Sequence, residues 1–158
     1  EVNFRTRIDL HPESKLVAWE ILCLGRPAAG ELFQQGNINQ RLELFIQQQR
    51  CFTDHLMIHG GSESLHAAWG LAGFPIVATM IIYPGLAVTT ELLIAELTPL
   101  KRIDREEILS ISIVNRLIVC RYLGYHGEQA RQALTKVWAL VRPLMLQKKA
   151  IKPRIWAT

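Results

Sequence analysis

Leu16-Val-Ala-Trp-Glu-Ile-Leu-Cys-Leu24 is a nearly unbroken apolar run that carries a single acid, Glu20. A run of this kind reads as a strand buried on both faces, and a carboxylate inside such a strand costs several kcal/mol unless it is paired or hydrated. Any fold the chain adopts must therefore bring a donor, a counter-charge or water to Glu20. The run closes on Gly25-Arg26-Pro27-Ala28-Ala29-Gly30-Glu31, in which the glycines permit a turn, Pro27 stiffens it and Arg26 can fork onto a carboxylate such as Glu31.

Around that run the dominant period is two. Phe4, Thr6, Ile8 and Leu10 alternate with Asn3, Arg5, Arg7 and Asp9, which is the pattern of a half-buried strand. His11-Pro12-Glu13-Ser14 then predicts a turn, and hence a hairpin between 1–10 and 15–24. Leu42, Leu44 and Ile46 alternate again, Gln47 to Arg50 reads as a polar hairpin tip, and Phe52, Asp54, Leu56 and Ile58 share the inward face of the next strand. Ser64 to Gly70 is expected as a short helical turn before a buried strand over 74–83, which Pro84-Gly85 ends.

The period changes in the second half. Apolar residues from Leu86 to Leu97 fall at helical spacing up to Pro99, and 110–123 returns to a β-branched strand expected beside 74–83. Ala130, Ala133, Leu134, Val137, Trp138 and Val141 then mark a helix that Pro143 ends or kinks. The expectation is one domain over 1–158, of the α+β class and predominantly β, with antiparallel hairpins and one or two carboxy-terminal helices. The chain begins at Glu1 inside an alternating segment, with no initiator Met, and is read as the carboxy-terminal part of a longer protein.

Eighteen Lys and Arg against fourteen Asp and Glu leave a formal charge of +4, a mild excess spread along the chain. Without an aromatic-basic stripe on which bases could stack, nucleic acid is not the expected partner. Cys23, Cys51 and Cys120 are an odd set inside apolar stretches, as suits a reducing compartment, and the cytoplasm is expected. No stretch of eighteen apolar residues predicts a membrane span.

The chemistry-bearing residues form no catalytic constellation. Cys51, His55 and His59 share a strand face, but residues four apart on a strand are separated by about 13 Å, so they need partners from elsewhere to close on one ion. His55 and His59 are the weak metal candidates. No HExxH, CxxC, phosphate loop or GxSxG elbow occurs. Glu20 and Asp54 stand out because both project inward among apolar neighbours. One account is pairing with an arginine such as Arg26 or Arg41, and the other is a hydrated passage lined with carboxylates that hold cations exchangeably.

The Ala18-Trp19-Glu20 strand, the Leu24-Gly25-Arg26-Pro27 turn with Gly30-Glu31, Arg142-Pro143, and the ending Pro153-Arg154-Ile155-Trp156-Ala157-Thr158 together resemble the urease accessory protein family called UreD or UreH. The resemblance covers roughly the last three-fifths of a family member and implies that the upstream half is missing. It also implies a two-layered, β-helix-like scaffold that binds UreF and the urease subunits. Such a scaffold conducts nickel released by UreG toward the urease active site, with Ni2+ as transient cargo and no tightly bound cofactor. By that match Glu20 and Asp54 line the passage, while Gly25, Arg26, Pro27, Gly30, Glu31, Pro153, Arg154 and Trp156 are architectural.

A sheet stack cut at that point leaves an unpaired edge, so this chain is not expected to activate urease by itself. Two other readings stay open. One is a metal-dependent hydrolase whose ligands include His55 or His59 and residues from the missing segment, and the other is a structural adaptor in which Glu20 and Asp54 form ion pairs.

Overall fold

In the computed structural model, which describes residues 1–157, eight strands form two sheets and two helices cover the second. The strands are β1 (Val2–Leu10), β2 (Leu16–Cys23), β3 (Asn37–Ile46), β4 (Gln49–His59), β5 (Ile76–Tyr83), β6 (Arg102–Ile103), β7 (Glu107–Val114) and β8 (Leu117–Gly124). The helices are α1 (Thr90–Leu97), between β5 and β6, and α2 (Gly127–Leu146). The first sheet has the order β1-β3-β4 and the second β2-β5-β8-β7-β6. The fold is α+β and predominantly β, with its helices in the second half of the chain.

The strand alternation decides the layers. Ile8, Leu10, Leu42, Leu44 and Phe52 of the first sheet pack on Leu16, Ile81, Tyr83, Leu117 and Val119 of the second. The opposite face of the second sheet, with Ile76, Ala78, Met80, Ile118, Cys120 and Leu109, receives Leu93 and Leu97 of α1 and the stripe Ala130, Leu134, Val137, Trp138, Val141 and Met145 of α2. This is the larger core, and the spacing of the α2 stripe is what a helix lying on a sheet requires. Among the described residues no helix is long and apolar enough to cross a membrane.

Five expectations change. First, β1 and β2 do not form a hairpin: β1 pairs with β3 in parallel, Val2 opposite Ile38 through Leu10 opposite Ile46, while β2 pairs with β5. The five residues 11–15 carry the chain from one sheet to the other, and the buried Tyr83 hydroxyl donates to Pro12 O at 2.6 Å to hold the crossing. The path β1 to β2 to β3 thus winds once around the sandwich and returns parallel to its start, which is the coil of a β-helix.

Second, 110–123 is a hairpin, β7 and β8, joined by Asn115-Arg116 with Asn115 at φ 56. Asn tolerates that left-handed backbone, so the tip hides within a stretch rich in apolar residues. β8 is the strand that lies beside β5, as expected for this segment. Third, the β3–β4 tip is just Gln47-Gln48, both at positive φ, and pairing resumes at Gln49. Fourth, Pro143 lies within the final turn of α2, and the helix stops at Gln147, whose N–H donates to Pro143 O. A proline there removes one N–H donor and crowds the Ala139 carbonyl, yet the helix continues through Leu146. In addition, α1 starts at Thr90, because Thr89 caps it by accepting from the Leu92 N–H.

Candidate functional site

The space between the sheets is not uniformly apolar. One end holds the cluster around Leu44, Ile81 and Tyr83, and the other holds Leu24, Ile38, Ile58 and Leu65. Between them lies a polar layer. It encloses a pocket of about 100 Å³ lined by Glu20, Gln40, Asp54, Thr79 and Arg121 with Leu42, His55, Leu56 and Val77.

Each acid in this layer reaches across to the opposite sheet. Glu20 belongs to β2 and stands opposite Thr79 of β5. Its carboxylate accepts from Thr6 Oγ1 of β1 and from Gln40 Nε2 of β3, both at 2.6 Å. Asp54 belongs to β4 and accepts from Arg121 of β8 through both carboxylate oxygens, at 2.8 and 3.1 Å, and from Thr79 Oγ1 at 3.2 Å. The two-pronged arginine contact is the strong geometry for a carboxylate, and the Arg121 side chain is about half exposed, at the mouth of the layer. The two acids therefore sit on facing strands of opposite sheets rather than on neighbouring strands.

The pairing with Arg26 or Arg41 does not occur. Arg26 binds Glu31, Nε to Oε2 at 2.8 Å, and Arg41 binds Glu43. Glu20 has neutral donors only among its hydrogen-bond partners and Arg121 is taken by Asp54, so two carboxylates stand against one guanidinium, an excess of one negative charge. That charge is the main electrostatic property of the site, because a low-dielectric surround strengthens its attraction for a cation.

The residues that hold β2 in place lie behind and beside it. The Arg26-to-Glu31 loop closes as an isolated antiparallel bridge, with Arg26 N–H to Glu31 O at 2.8 Å and Glu31 N–H to Arg26 O at 3.1 Å. Pro27 starts a short 3-10 turn over Pro27–Ala29 that Gly30 ends at φ 72. Behind β2, the 3-10 turn over Arg154–Ala157 brings Trp156 against Trp19 and Trp138, with ring centroids 5.1 and 4.9 Å apart. Arg131 donates to Trp156 O at 2.9 Å, and the Trp156 N–H bonds Pro153 O. Trp156 is thus covered by this chain, whereas Ile155 remains three-quarters exposed. Thr158, the last residue of that motif, lies outside the described residues.

His55 and His59 are exposed residues of β4 that bond Asn39 Oδ1 and Asn37 Oδ1, each at 2.7 Å, and His55 also borders the pocket between the sheets. No group of three His, Cys, Asp or Glu able to hold a metal is found among the described residues. Cys120 is buried and its thiol is pushed up to about 12 by that burial, which leaves it unreactive.

Arg121 escaped notice although it carries the same signal as Glu20. It interrupts Leu117, Val119 and Leu123 at an inward position, just as Glu20 interrupts Ala18 and Leu22. Gln40 does so ahead of Leu42 and Leu44.

The family described as UreD urease accessory protein matches residues 1–157. The chain belongs to the UreD urease accessory protein family. Urease accessory protein UreD 2 of Brucella anthropi is 35% identical over 158 residues, covering 100% of this chain and 57% of that protein. The UreD proteins of Nitrosococcus oceani and Pseudomonas fluorescens are each 34% identical, over 97% and 100% of this chain and over 50% and 54% of their own lengths. The chain therefore spans about half the length of these UreD relatives. In this chain the polar layer is where charge is concentrated between the two sheets.

Proposed function

We propose that the chain contributes to a non-enzymatic metallochaperone scaffold that inserts nickel into apo-urease together with UreF and UreG, in the cytoplasm. The observation that carries this reading is the net negative layer between the sheets, where Glu20 and Asp54 face a pocket with one guanidinium between them. Nickel is cargo here. Carboxylate oxygens bind a borderline divalent ion loosely enough to exchange it, and the neutral donors on Glu20 can be displaced by an ion. The cysteines, none of them in a disulfide, agree with a reducing compartment.

A second reading draws on the same contacts. Both acids are already hydrogen-bonded across the sandwich, so they can serve as stitches between sheets in a purely structural adaptor. The hydrolase reading draws on no such contact: one ring nitrogen of His55 and one of His59 bonds an asparagine oxygen, and the reading needs ligands from the missing segment.

The test joins this chain to a family-type upstream half and expresses it in cells that lack their own UreD. Urease activity and urease-bound nickel are then measured for the parent, Glu20→Gln and Asp54→Asn. Passage of nickel predicts that either substitution lowers nickel content and activity while UreF still co-purifies. Normal nickel content in both variants would remove the transport role and leave the adaptor.

A further inference from the structure

A second charged assembly stands on the outer face of the first sheet, apart from the layer between the sheets. The Glu43 side chain is 4% exposed although it points away from the sandwich, on the side of β3 opposite to Leu42 and Leu44. Arginines from all three strands cover it. Arg41 Nη2 lies 3.0 Å from Oε1, Arg50 Nη1 lies 3.4 Å from Oε1, and Arg5 Nη2 lies 3.4 Å from Oε2. Arg5 and Arg41 are register partners, so their guanidiniums rise side by side.

The charges do not balance. Three guanidiniums meet one carboxylate, and the adjacent Arg7 is already taken by Asp9 at 2.8 Å and lies 4.1 Å over the Phe45 ring. Burial pushes the Glu43 carboxyl up, but the hydrogen bond and charge of Arg41, with Arg50 and Arg5, outweigh it and hold the group below the usual carboxylate range. Glu43 is ionised at neutral pH and two positive charges remain in excess. Arg5 and Arg50 present them to solvent, being 74% and 56% exposed. Arg41 Nε is buried with no acceptor, a donor the isolated chain leaves unused.

Gathering like charges around one anion opposes itself unless an opposite charge arrives. Guanidiniums match carboxylates fork to fork. Single exposed pairs of this kind are worth little, so a small free anion would be held weakly, whereas several carboxylates on one partner add. Phe45, two residues along β3 from Glu43, is capped by Arg7 and offers bases no platform. We propose that the outer face of the β1-β3-β4 sheet docks an acidic segment of a partner protein, whose carboxylates are taken by Arg5, Arg41 and Arg50 around Glu43. This surface is independent of whether nickel passes between the sheets.

Fluorescence anisotropy with a labelled deca-glutamate peptide tests it. The parent chain is compared with Arg5→Gln/Arg50→Gln and with Lys148→Gln/Lys149→Gln, which removes the same charge from an exposed site near the carboxy terminus. Circular dichroism checks that both variants remain folded, and Arg5→Lys/Arg50→Lys, which keeps the charge, stands in if the glutamine pair unfolds.

The expected result is binding weakened about tenfold or more by the arginine change and hardly altered by the lysine change. The lysine-for-arginine pair is expected to fall between parent and glutamine pair. Equal weakening by the two glutamine pairs, no binding by the parent, or undiminished binding by the lysine-for-arginine pair would overturn the proposal. Tighter binding of a labelled oligothymidylate than of the peptide would overturn it as well, in favour of nucleic acid.

Discussion

Gly25 and Gly30 have nearly the same left-handed backbone, φ 79 and φ 72, but different surroundings, and alanine at each separates conformational strain from steric overlap. At Gly30 a Cβ meets nothing within 4 Å, so Gly30→Ala costs the left-handed penalty alone, about 1–2 kcal/mol. At Gly25 a Cβ falls 2.4 Å from Glu31 O and 3.0 Å from Leu32 C, both backbone atoms that cannot rotate away. The loop must open there. That adds an overpacking cost of about 1–3 kcal/mol. It also loosens the two backbone hydrogen bonds between Arg26 and Glu31, each worth about 1 kcal/mol.

Gly25→Ala is therefore expected to destabilise the chain by about 3–5 kcal/mol, well beyond Gly30→Ala. Urea unfolding followed by circular dichroism, with m held as a check on two-state behaviour, measures both. Equal losses within about 0.5 kcal/mol would refute the argument that contact with the Glu31 carbonyl, rather than φ, is what requires glycine in this turn. The comparison bears on the site because the loop anchors the end of β2, the strand that holds Glu20.

Two further predictions concern elements that frame the sandwich. Trp156→Ala removes two edge-to-face ring contacts, each worth about 0.5–1.5 kcal/mol, together with the half-buried surface of the indole, and is expected to cost about 2–4 kcal/mol in urea unfolding. A loss below about 0.5 kcal/mol would mean that the terminal turn does not brace β2. Asp104, in the β6–β7 turn, is held down to about 2 by Arg102 and by the backbone N–H groups of Glu107 and Glu106. A carboxyl with a depressed folded pKa gives stability that is complete above its unfolded value near 4 and lost as the pH falls toward about 2. The Tm deficit of Asp104→Asn should thus be constant above pH 5 and shrink below about 4, and a deficit that stays constant down to about 2 would contradict it.

Alternation placed the inward faces of β1, β3 and β4, because apolar residues fall at every second position of each strand apart from one polar interruption, Thr6, Gln40 or Asp54. It did not reveal which strands pair. His11-Pro12-Glu13-Ser14 has the composition of a hairpin turn, and only packing of the two faces decides whether such a turn reverses the chain in one sheet or carries it to another. For the same reason Glu20 and Asp54 were recognisable as inward-facing acids, while their partners Thr6, Gln40 and Arg121 were not assignable, being residues from strands that meet only in three dimensions. Glu43 left no trace at all. It occupies an outward position in β3, and its burial comes from arginine side chains of β1 and β4 folding over it as well as from Arg41.

The polar layer is not explained by stability. Charged groups taken partly out of water lose hydration that their partners only partly return, and well-packed apolar residues of similar size often serve a core as well or better. The two apolar clusters on either side show that this sandwich can pack hydrocarbon between the same strands, β3, β4, β5 and β2. The arrangement is also asymmetric in a way that an ion-pair stitch does not require, since Asp54 has Arg121 while Glu20 is left with a hydroxyl and an amide. A structural pair would be satisfied by one acid and one base. Under the proposed passage, Glu20 is the pocket-facing carboxylate without a cation partner, so it is on Glu20 rather than on Asp54 that the distinction between passage and stitch turns.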